Sequence, residues 1–441
     1  MLRRKAEGLL ENWKRTKGKQ GLLVTGARQV GKTSTIEAFA TKHYDHVVKI
    51  DFVEQPDAVE VISRARNLDD LVMRVTALAS NPLAPGKTLL FFDEVQRCGD
   101  AITWMRYLAQ DNRFDVIYSG SMLGVEAFDF RSLPVGTIDV VEMFPLDFEE
   151  FSWAYGTADE LWRVVRECRL AAEAVPDFIH EKLSNLFWLY VLVGGMPEAV
   201  QAYVSTNDTQ LMRSRQRSIL DAYRADITRY IKDVEHSQRI KTIYDAMPAQ
   251  LNKENKRFVV SGMDKSKRFA ELRPDFDWLA HAGVAISVSR VTEPTFPLGL
   301  TAESSFFKLY LSDVGLLFSH FGAAEVRGIL AKKGDVNFGM AFESAVAQQL
   351  RASGHERLYY FNKRGVGEVD FVVDDLRSGE VLPIEVKSGA NSHRHAALDN
   401  LLKVDNYHLN RAFVLHDGNV EREGCVTYLP LYMSGLIGSG D

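Results

Sequence analysis

Short apolar runs alternate with amphipathic segments through the first 150 residues of the chain. The runs have the length of buried strands, and the segments between them repeat their apolar residues at helical spacing. The predicted strands are Leu22–Thr25, His46–Phe52, Thr88–Phe92, Phe114–Ser119 and Ile138–Met143. Helices are predicted over residues 2–16, Leu68–Ser80 and Ala101–Gln110. This alternation predicts an α/β fold in which a parallel sheet carries helices on both faces.

The pattern changes twice after this region. Residues 147–235 are predicted to be mainly helical, with a break at Gly194-Gly195-Met196-Pro197. Residues 236–320 combine short helices with β-rich pieces such as Val284–Val291. From residue 335 a smaller α/β region is predicted, with helices at Phe338–Ser353 and Ala396–Lys403 and strands at Leu358–Asn362, Glu368–Val373, Leu382–Lys387 and Arg411–His416. We therefore predict three regions, 1–150, 151–325 and 335–441.

Composition narrows the class of protein. A chain of 441 residues is too long for one ordinary core. The net charge of -6 argues against general binding of polyanions, so any nucleic-acid surface must be local. The three cysteines are widely spaced and match no zinc pattern, which favours reduced thiols and a cytoplasmic location. No apolar run approaches the length of a membrane span, and the N-terminus lacks the apolar core of a signal peptide.

The sequence from Gly26 to Thr33 is the most specific chemical signal. It reads Gly26-Ala27-Arg28-Gln29-Val30-Gly31-Lys32-Thr33, with Ser34 opening the helical segment that follows. A glycine-rich loop between a strand and a helix cradles phosphates with its backbone N–H groups. Lys32 is predicted to reach the β- and γ-phosphates of ATP, and the Thr33 hydroxyl to bind Mg²⁺.

A second signal lies at the end of the strand Thr88–Phe92, which leads into Asp93 and Glu94. The carboxyl ends of parallel strands meet at the edge where ligands bind. Asp93 is predicted to hold Mg²⁺, and Glu94 to orient or deprotonate the attacking water. The next predicted strand leads into Ser119-Gly120-Ser121. Ser119 or Ser121 would contact the γ-phosphate or position water. A serine–glycine turn without a catalytic role explains these residues equally well.

A locally basic stretch, residues 251–273, lies in the middle region. Its order of helix, turn, helix and β-wing would suit a module that contacts DNA phosphates. A packing module with a solvated charged face fits the same pattern slightly better, because no base-reading residues stand out.

The last region carries a second candidate site. In the strand around Glu385, Ile384 and Val386 share one face, while Glu385 and Lys387 share the other. Asp370 belongs to the preceding strand, and Glu343 to the helix before it. Carboxylate ligands without Cys or His suit Mg²⁺ or Mn²⁺, and such a site supports phosphodiester hydrolysis with Lys387 beside the attacking hydroxide. An edge-strand salt bridge is one alternative. A fold that has lost cleavage is another.

Several segments together resemble a known family, the AAA-type ATPases of bacteria and archaea that carry a C-terminal domain of unknown function. The resemblance rests on LLVTGARQVGKT, FFDEVQ, SGSMLG, the segment Phe144–Phe151, the GGMPE turn, KLYLSDVGLL at 308–317, and GEVDF with IEVKSG. It implies a P-loop ATPase sheet, a winged-helix-like middle region and an end similar to the PD-(D/E)xK nuclease fold. By that resemblance Asp370, Glu385 and Lys387 fall on the nuclease motif, with Glu343 as the helix carboxylate.

One position departs from the family's pattern. Members often have Gly-Arg shortly before the Phe-Pro-Leu segment, whereas this chain has Gly136-Thr137. An arginine there would stabilise transition-state charge, often across a subunit boundary. Arg113 and Arg131 are candidate substitutes. Because the usual arginine is missing, the sequence gives weaker support for a homo-oligomer whose subunits share ATP sites.

The leading hypothesis is a Mg²⁺-dependent ATPase that moves or gates a nuclease-like domain acting on DNA or RNA. The second is an ATP-switched regulator that binds DNA or protein, with its last domain serving only as a scaffold. A protein-remodelling ATPase has no positive feature in the sequence and rests on the breadth of AAA-type functions.

Overall fold

The structure is a computed structural model. It describes residues 2–16, 18, 20–79, 81–121, 136–252, 269–319, 321, 338–389 and 393–438. The chain divides into two compact units. Unit 1 comprises Met1–Phe144 with His281–Gly283, and unit 2 comprises Pro145–Ala280 with Val284–Asp441.

Unit 1 is built on a five-stranded parallel sheet with the strand order β2-β3-β4-β1-β5. The strands are β1 (Gly21–Thr25), β2 (His46–Asp51), β3 (Thr88–Asp93), β4 (Asp115–Ser119) and β5 (Ile138–Glu142). The helices are α1 (Lys5–Thr16), α2 (Lys32–His43), α3 (Asp57–Ser63), α4 (Leu68–Leu78) and α5 (Gly99–Asp111). Because β4 lies between β1 and β3, the ends of these three strands meet at one edge of the sheet.

Burial explains why β1 and β3 consist of unbroken apolar runs. Every residue of both strands is buried, as expected where a parallel sheet is covered on both faces. The core beside them includes a row of aromatic rings from three neighbouring elements. Phe92 stacks on Tyr118 with a centroid distance of 5.3 Å and on Phe52 with a distance of 6.3 Å.

Unit 2 begins with a helical region. Its helices are α6 (Phe148–Ala154), α7 (Asp159–Ala171), α8 (Asp177–Val193), α9 (Pro197–Thr206), α10 (Thr209–Tyr230), α11 (Val234–Leu251) and α12 (Phe269–His281). Asp147 caps α6 through a reciprocal capping box with Glu150. The Phe148 ring packs edge-on against Phe187 and Tyr190 of α8, with centroid distances of 5.1 and 5.7 Å.

The rest of unit 2 is a mixed eight-stranded sheet with the order β12-β13-β11-β10-β9-β8-β6-β7. Its strands are β6 (Ala285–Val291), β7 (Ala302–Leu311), β8 (Leu358–Lys363), β9 (Gly367–Asp375), β10 (Glu380–Val386), β11 (Ala412–His416), β12 (Glu421–Glu423) and β13 (Val426–Pro430). Three further helices are α13 (Val314–Phe318), α14 (Phe338–Ala352) and α15 (Ala396–Leu402). Helix α14 contacts β6, β7, β8 and β10, and α15 contacts β9.

The predicted parallel sheet of unit 1 is confirmed, strand by strand, and a mixed α/β sheet is present near the C-terminus. The sheet of unit 2 takes β6 and β7 from the predicted middle region and β8–β13 from the predicted last region. The three-region division and the winged helix stay predictions, because residues 253–268 of the basic stretch lie outside the described residues. Along the described ranges, no helix combines the length and the apolar character needed to cross a membrane.

A candidate nucleotide site and a carboxylate cluster

The loop from Gly26 to Gly31 joins β1 to α2 in unit 1. Gly26 has φ +141° and Gly31 has φ +96°, conformations that suit glycine. A Cβ on Gly26 would lie 2.1 Å from the carbonyl oxygen of Met143, so only glycine fits there. Gln29 adopts φ +65°. The loop therefore has the left-handed turns that bring successive N–H groups of a phosphate-binding loop to one side.

The side chain of Lys32 turns back into this loop. Its ammonium donates to the carbonyl oxygens of Gly26 at 3.0 Å and Ala27 at 2.8 Å. Burial lowers the pKa of Lys32 to about 8, although the nearby carboxylates of Glu94 and Asp93 act in the opposite direction. A buried cation beside a loop of this shape is suited to meeting an anionic phosphate.

Thr33, at the start of α2, meets Asp93, at the end of β3. The Thr33 hydroxyl donates to Oδ2 of Asp93 at 2.8 Å. The Ser119 hydroxyl donates to Oδ1 of the same carboxylate, and the Lys49 ammonium lies 3.7 Å from Oδ2. A hydroxyl next to a buried carboxylate provides oxygen ligands of the kind Mg²⁺ prefers, so these residues fit the ion.

Glu94 is held by a glutamine two residues along the chain. Gln96 Nε2 donates to Oε2 of Glu94 at 2.6 Å and to the Ser121 hydroxyl at 3.2 Å. Glu94 itself has φ +54°, an uncommon conformation for a residue with a side chain. Strained backbone of this kind is concentrated at functional sites. The link from Glu94 to the end of β4 thus runs through Ser121, while Ser119 contacts Asp93.

A buried arginine supports the loop from the other side. Arg4, just before α1, donates from Nη1 to the carbonyl oxygen of Val30 at 2.5 Å. Its Nη2 donates to the carbonyl oxygen of Phe144 at 2.7 Å. Sequence reasoning missed Arg4, because the two partners are 26 and 140 positions away.

The other predicted loop residues lie where the motif places them. Ala27 and Val30 are buried, Arg28 is half-buried, and Ser34 donates from its hydroxyl to the carbonyl oxygen of Gly31 at 3.0 Å. Arg113, a candidate substitute for the missing arginine, forms ion pairs with Asp111 at 2.6 Å and Asp69 at 2.9 Å. Arg131 lies outside the described residues.

The second predicted site falls on β9, β10 and α14 of unit 2. Strands β9 and β10 are antiparallel neighbours, with Phe371 opposite Ile384. Asp370 Oδ2 accepts from the backbone N–H of Val386 at 2.9 Å. The Lys387 ammonium donates to Oε1 of Glu385 at 2.7 Å, which confirms that the two side chains share one face.

Three further side chains join these residues. Lys308 of β7 is completely buried, and its ammonium lies 2.8 Å from Oε1 of Glu368 and 4.0 Å from Oε2 of Glu343. The Tyr310 hydroxyl donates to the same oxygen of Glu343 at 3.1 Å. We call Lys308, Tyr310, Glu343, Glu368, Asp370, Glu385 and Lys387 the carboxylate cluster. Sequence reasoning missed Lys308, Tyr310 and Glu368, although KLYLSDVGLL begins at Lys308.

Within the part of the chain that the structure describes, no three His, Cys, Asp or Glu side chains are placed to hold a metal ion together. The metal roles of Glu343, Asp370 and Glu385 therefore stay a prediction.

Comparison with protein families finds a match for most of unit 1. Residues 18–152 match the model of an AAA domain, which spans the phosphate loop, Asp93 and Glu94. We refer to residues 18–152, after this match, as the AAA domain. Its parallel sheet carries the phosphate loop after β1 and Asp93 at the end of β3. Residues 184–326 match a domain of unknown function, DUF8612, and residues 338–433 match another, DUF4143.

No curated protein matches the chain significantly. Among solved structures, a Walker-type ATPase of Pyrococcus abyssi is 16% identical, with 72% of this chain and 95% of that chain covered and a TM-score of 0.42. The ORC1 protein of Aeropyrum pernix, solved in complex with DNA, is 11% identical over 76% of this chain and 93% of its own, with a TM-score of 0.30. RuvB of Thermotoga maritima is 15% identical over 64% and 87%, with a TM-score of 0.28. Likenesses this distant add nothing to the assignment of the AAA domain.

Proposed function

We propose that the AAA domain hydrolyses ATP with the help of Mg²⁺. The observation that carries the proposal is the hydrogen bond of 2.8 Å between the Thr33 hydroxyl and Asp93, next to the buried Lys32. It joins the phosphate loop to the strand that carries Asp93, which supports a metal ion bound there together with ATP.

Each residue has a distinct task in this proposal. Lys32 exchanges its bonds to Gly26 and Ala27 for the β- and γ-phosphates, so its charge is already in place when ATP arrives. Thr33 and Asp93 would hold Mg²⁺, which when bound neutralises charge on the phosphates. Glu94, fixed by Gln96, orients the attacking water and accepts its proton.

The decisive experiment replaces Glu94 by Gln, which keeps the shape of the side chain and removes its charge. We expect ATP binding to be retained and turnover to fall by about 10²-fold or more. The Lys32→Ala variant serves as the comparison, since it should lose binding as well. Hydrolysis by Glu94→Gln at the parent rate would contradict the role of Glu94, and undiminished binding by Lys32→Ala would contradict the site itself.

The pattern of Asp370, Glu385 and Lys387 implies metal-dependent cleavage of DNA or RNA by the carboxylate cluster, driven or gated by ATP. We propose instead an ATP-switched regulator that binds nucleic acid or protein and does not cleave. The contact that favours the regulator is the ion pair of 2.8 Å between the buried Lys308 and Glu368, which supplies the carboxylate cluster with a cation of the chain itself. A gel assay with DNA and RNA, with Mg²⁺ or Mn²⁺ and with or without ATP, separates the two. Cleavage that survives in Asp370→Ala would rule out this cluster as its source.

A further inference from the structure

Lys308 is the most unusual member of the carboxylate cluster. Its side chain is completely buried on β7, where an ammonium ion is costly unless opposite charges compensate for the lost water. Glu368, 2.8 Å away, supplies the nearest compensation, and Glu343 lies at 4.0 Å. The Tyr360 ring adds a cation–π contact, with its centroid 5.0 Å from the ammonium. Lys308 therefore places a positive charge of the chain itself beside the carboxylates of Glu343 and Glu368.

Protein donors already bind the carboxylates that a metal ion would need. One oxygen of each accepts a hydrogen bond from a nearby group. The pairs are Glu343 with the Tyr310 hydroxyl at 3.1 Å, Glu368 with Asn362 at 2.7 Å, Asp370 with the N–H of Val386 at 2.9 Å, and Glu385 with Lys387 at 2.7 Å. The second oxygen of Glu385, Oε2, is buried without a hydrogen-bond partner. Among the described residues, however, no three His, Cys, Asp or Glu side chains are placed to share a metal ion. The residues present therefore do not fit the divalent ion that the nuclease-like pattern implies.

We propose that the Lys308 ammonium takes the place of the divalent cation, neutralising Glu343 and Glu368, so that the carboxylate cluster is assembled without metal. The domain then keeps the shape of a nuclease-like site but lacks metal-assisted cleavage. The inference is independent of ATP hydrolysis, because all of its residues lie in unit 2. ATP turnover and the state of the carboxylate cluster are tested by separate measurements.

Thermal unfolding of the full chain, without nucleotide, tests the proposal. Wild-type protein is expected to melt at the same temperature in EDTA and in Mn²⁺. Lys308→Met leaves the carboxylates uncompensated, so it should melt lower in EDTA and recover by on the order of 5 °C when Mn²⁺ fills the gap. Lys308→Arg keeps the cation and should remain insensitive to Mn²⁺. An equal Mn²⁺ response in wild-type protein, or no response in Lys308→Met, would overturn the proposal.

Calorimetric titration of the wild-type chain with Mn²⁺ keeps the proposal testable should Lys308→Met fail to fold. No binding that depends on Asp370 or Glu385 is expected. Saturable binding that disappears in both Asp370→Asn and Glu385→Gln would place a metal in the carboxylate cluster and overturn the role given to Lys308. An unchanged titration in those variants supports it.

Discussion

The buried carboxylate of Asp313 accepts a hydrogen bond from the backbone N–H of Gly195 at 2.5 Å. This bond joins two sequence motifs that lie 118 positions apart, the GGMPE turn and KLYLSDVGLL. Asp313 also accepts from the N–H of Leu316 at 3.2 Å and from Gln348 at 3.1 Å. The N–H of Leu146, in the Phe-Pro-Leu segment, donates to the carbonyl oxygen of Gly195 at 2.7 Å. Three motifs of the resemblance thus form one packed junction of unit 2.

Close backbone packing in this junction predicts a severe glycine substitution. A Cβ on Gly315 would lie 2.4 Å from the carbonyl oxygen of Val193 and 2.6 Å from the backbone N of Gly194. We expect Gly315→Ala to reduce the free energy of unfolding by about 3 kcal/mol or more. This loss outweighs the small gain that alanine offers through its higher helix propensity. Denaturant unfolding measures the loss. Gly389→Ala is the matched control, because a Cβ there meets nothing within 4 Å; equal effects of the two would refute the packing argument.

Asp313 also predicts a pH dependence. Burial raises the pKa of Asp313 to about 6, although its hydrogen bonds act in the opposite direction. Because the folded-state pKa exceeds the unfolded one, the group stabilises the fold most below about pH 4, and this contribution is lost as the pH rises through 6. The loss amounts to about 3 kcal/mol. Denaturant unfolding of the wild-type protein and of Asp313→Asn is compared between pH 4.5 and 7. The free energy of unfolding should fall over this range only in the wild type. Parallel pH profiles would contradict the assignment.

Lys32 predicts that ATP binding takes up a proton in mildly alkaline solution. The pKa of Lys32 is lowered to about 8 by burial, and a bound triphosphate would raise it again. Affinity should therefore fall by up to tenfold for each pH unit above 8. Calorimetry at pH 8.5 in two buffers of different ionisation enthalpy counts the protons, and the same titration at pH 7 is the control. An identical proton count at both pH values would exclude Lys32 as the linked group.

Arg4 predicts a contribution to ATP affinity from outside the phosphate loop. Its bond to the carbonyl oxygen of Val30 fixes the loop in its binding shape. We expect Arg4→Met, which keeps the apolar length of the side chain, to weaken ATP binding by about tenfold. Arg15→Met is the control, because Arg15 is exposed and donates from Nη2 to Oδ1 of the exposed Asn12, on its own helix, at 2.9 Å. A melting curve run beside the binding assay separates lost affinity from lost folding, and unchanged affinity in folded Arg4→Met would contradict this role.

Gln96 is predicted to position Glu94 rather than to bind ATP. Removing its bond of 2.6 Å frees the carboxylate to rotate, so Gln96→Ala should lower kcat by roughly 10²-fold with KM little changed. Ser121→Ala removes only the weaker contact of Gln96, at 3.2 Å, and should cost less. A rise in KM with kcat preserved would assign Gln96 to ATP binding instead.

The sequence alone was sufficient for the sheet of unit 1 and for the neighbourhood of the phosphate loop. Both depend on local patterns, namely apolar runs of strand length and a glycine spacing followed by a helix. The pairing of Glu385 with Lys387 could also be predicted, because alternate residues of a strand share a face.

Contacts between distant parts of the chain could not be predicted from such local patterns. Arg4 reaches Val30 and Phe144, and Lys308 reaches Glu368, through folding that no spacing encodes. A signal for Lys308 was nevertheless present. A lysine that alternates with Phe307, Leu309 and Leu311 inside an apolar strand needs a buried counter-charge, and the glutamates of β9 and α14 were the available candidates.

The pairing of β6 with β8 determines where unit 2 can be divided. Val288 to Val291 run parallel to Leu358 to Phe361, so the β6–β7 hairpin covers one border of the later strands. A fragment that begins at residue 338 would leave the N–H and C=O groups of β8 open along that border. Such an open border recruits strands from other molecules, and the fragment is expected to self-associate at rising concentration. A soluble truncation should start before Ala285 and retain both strands.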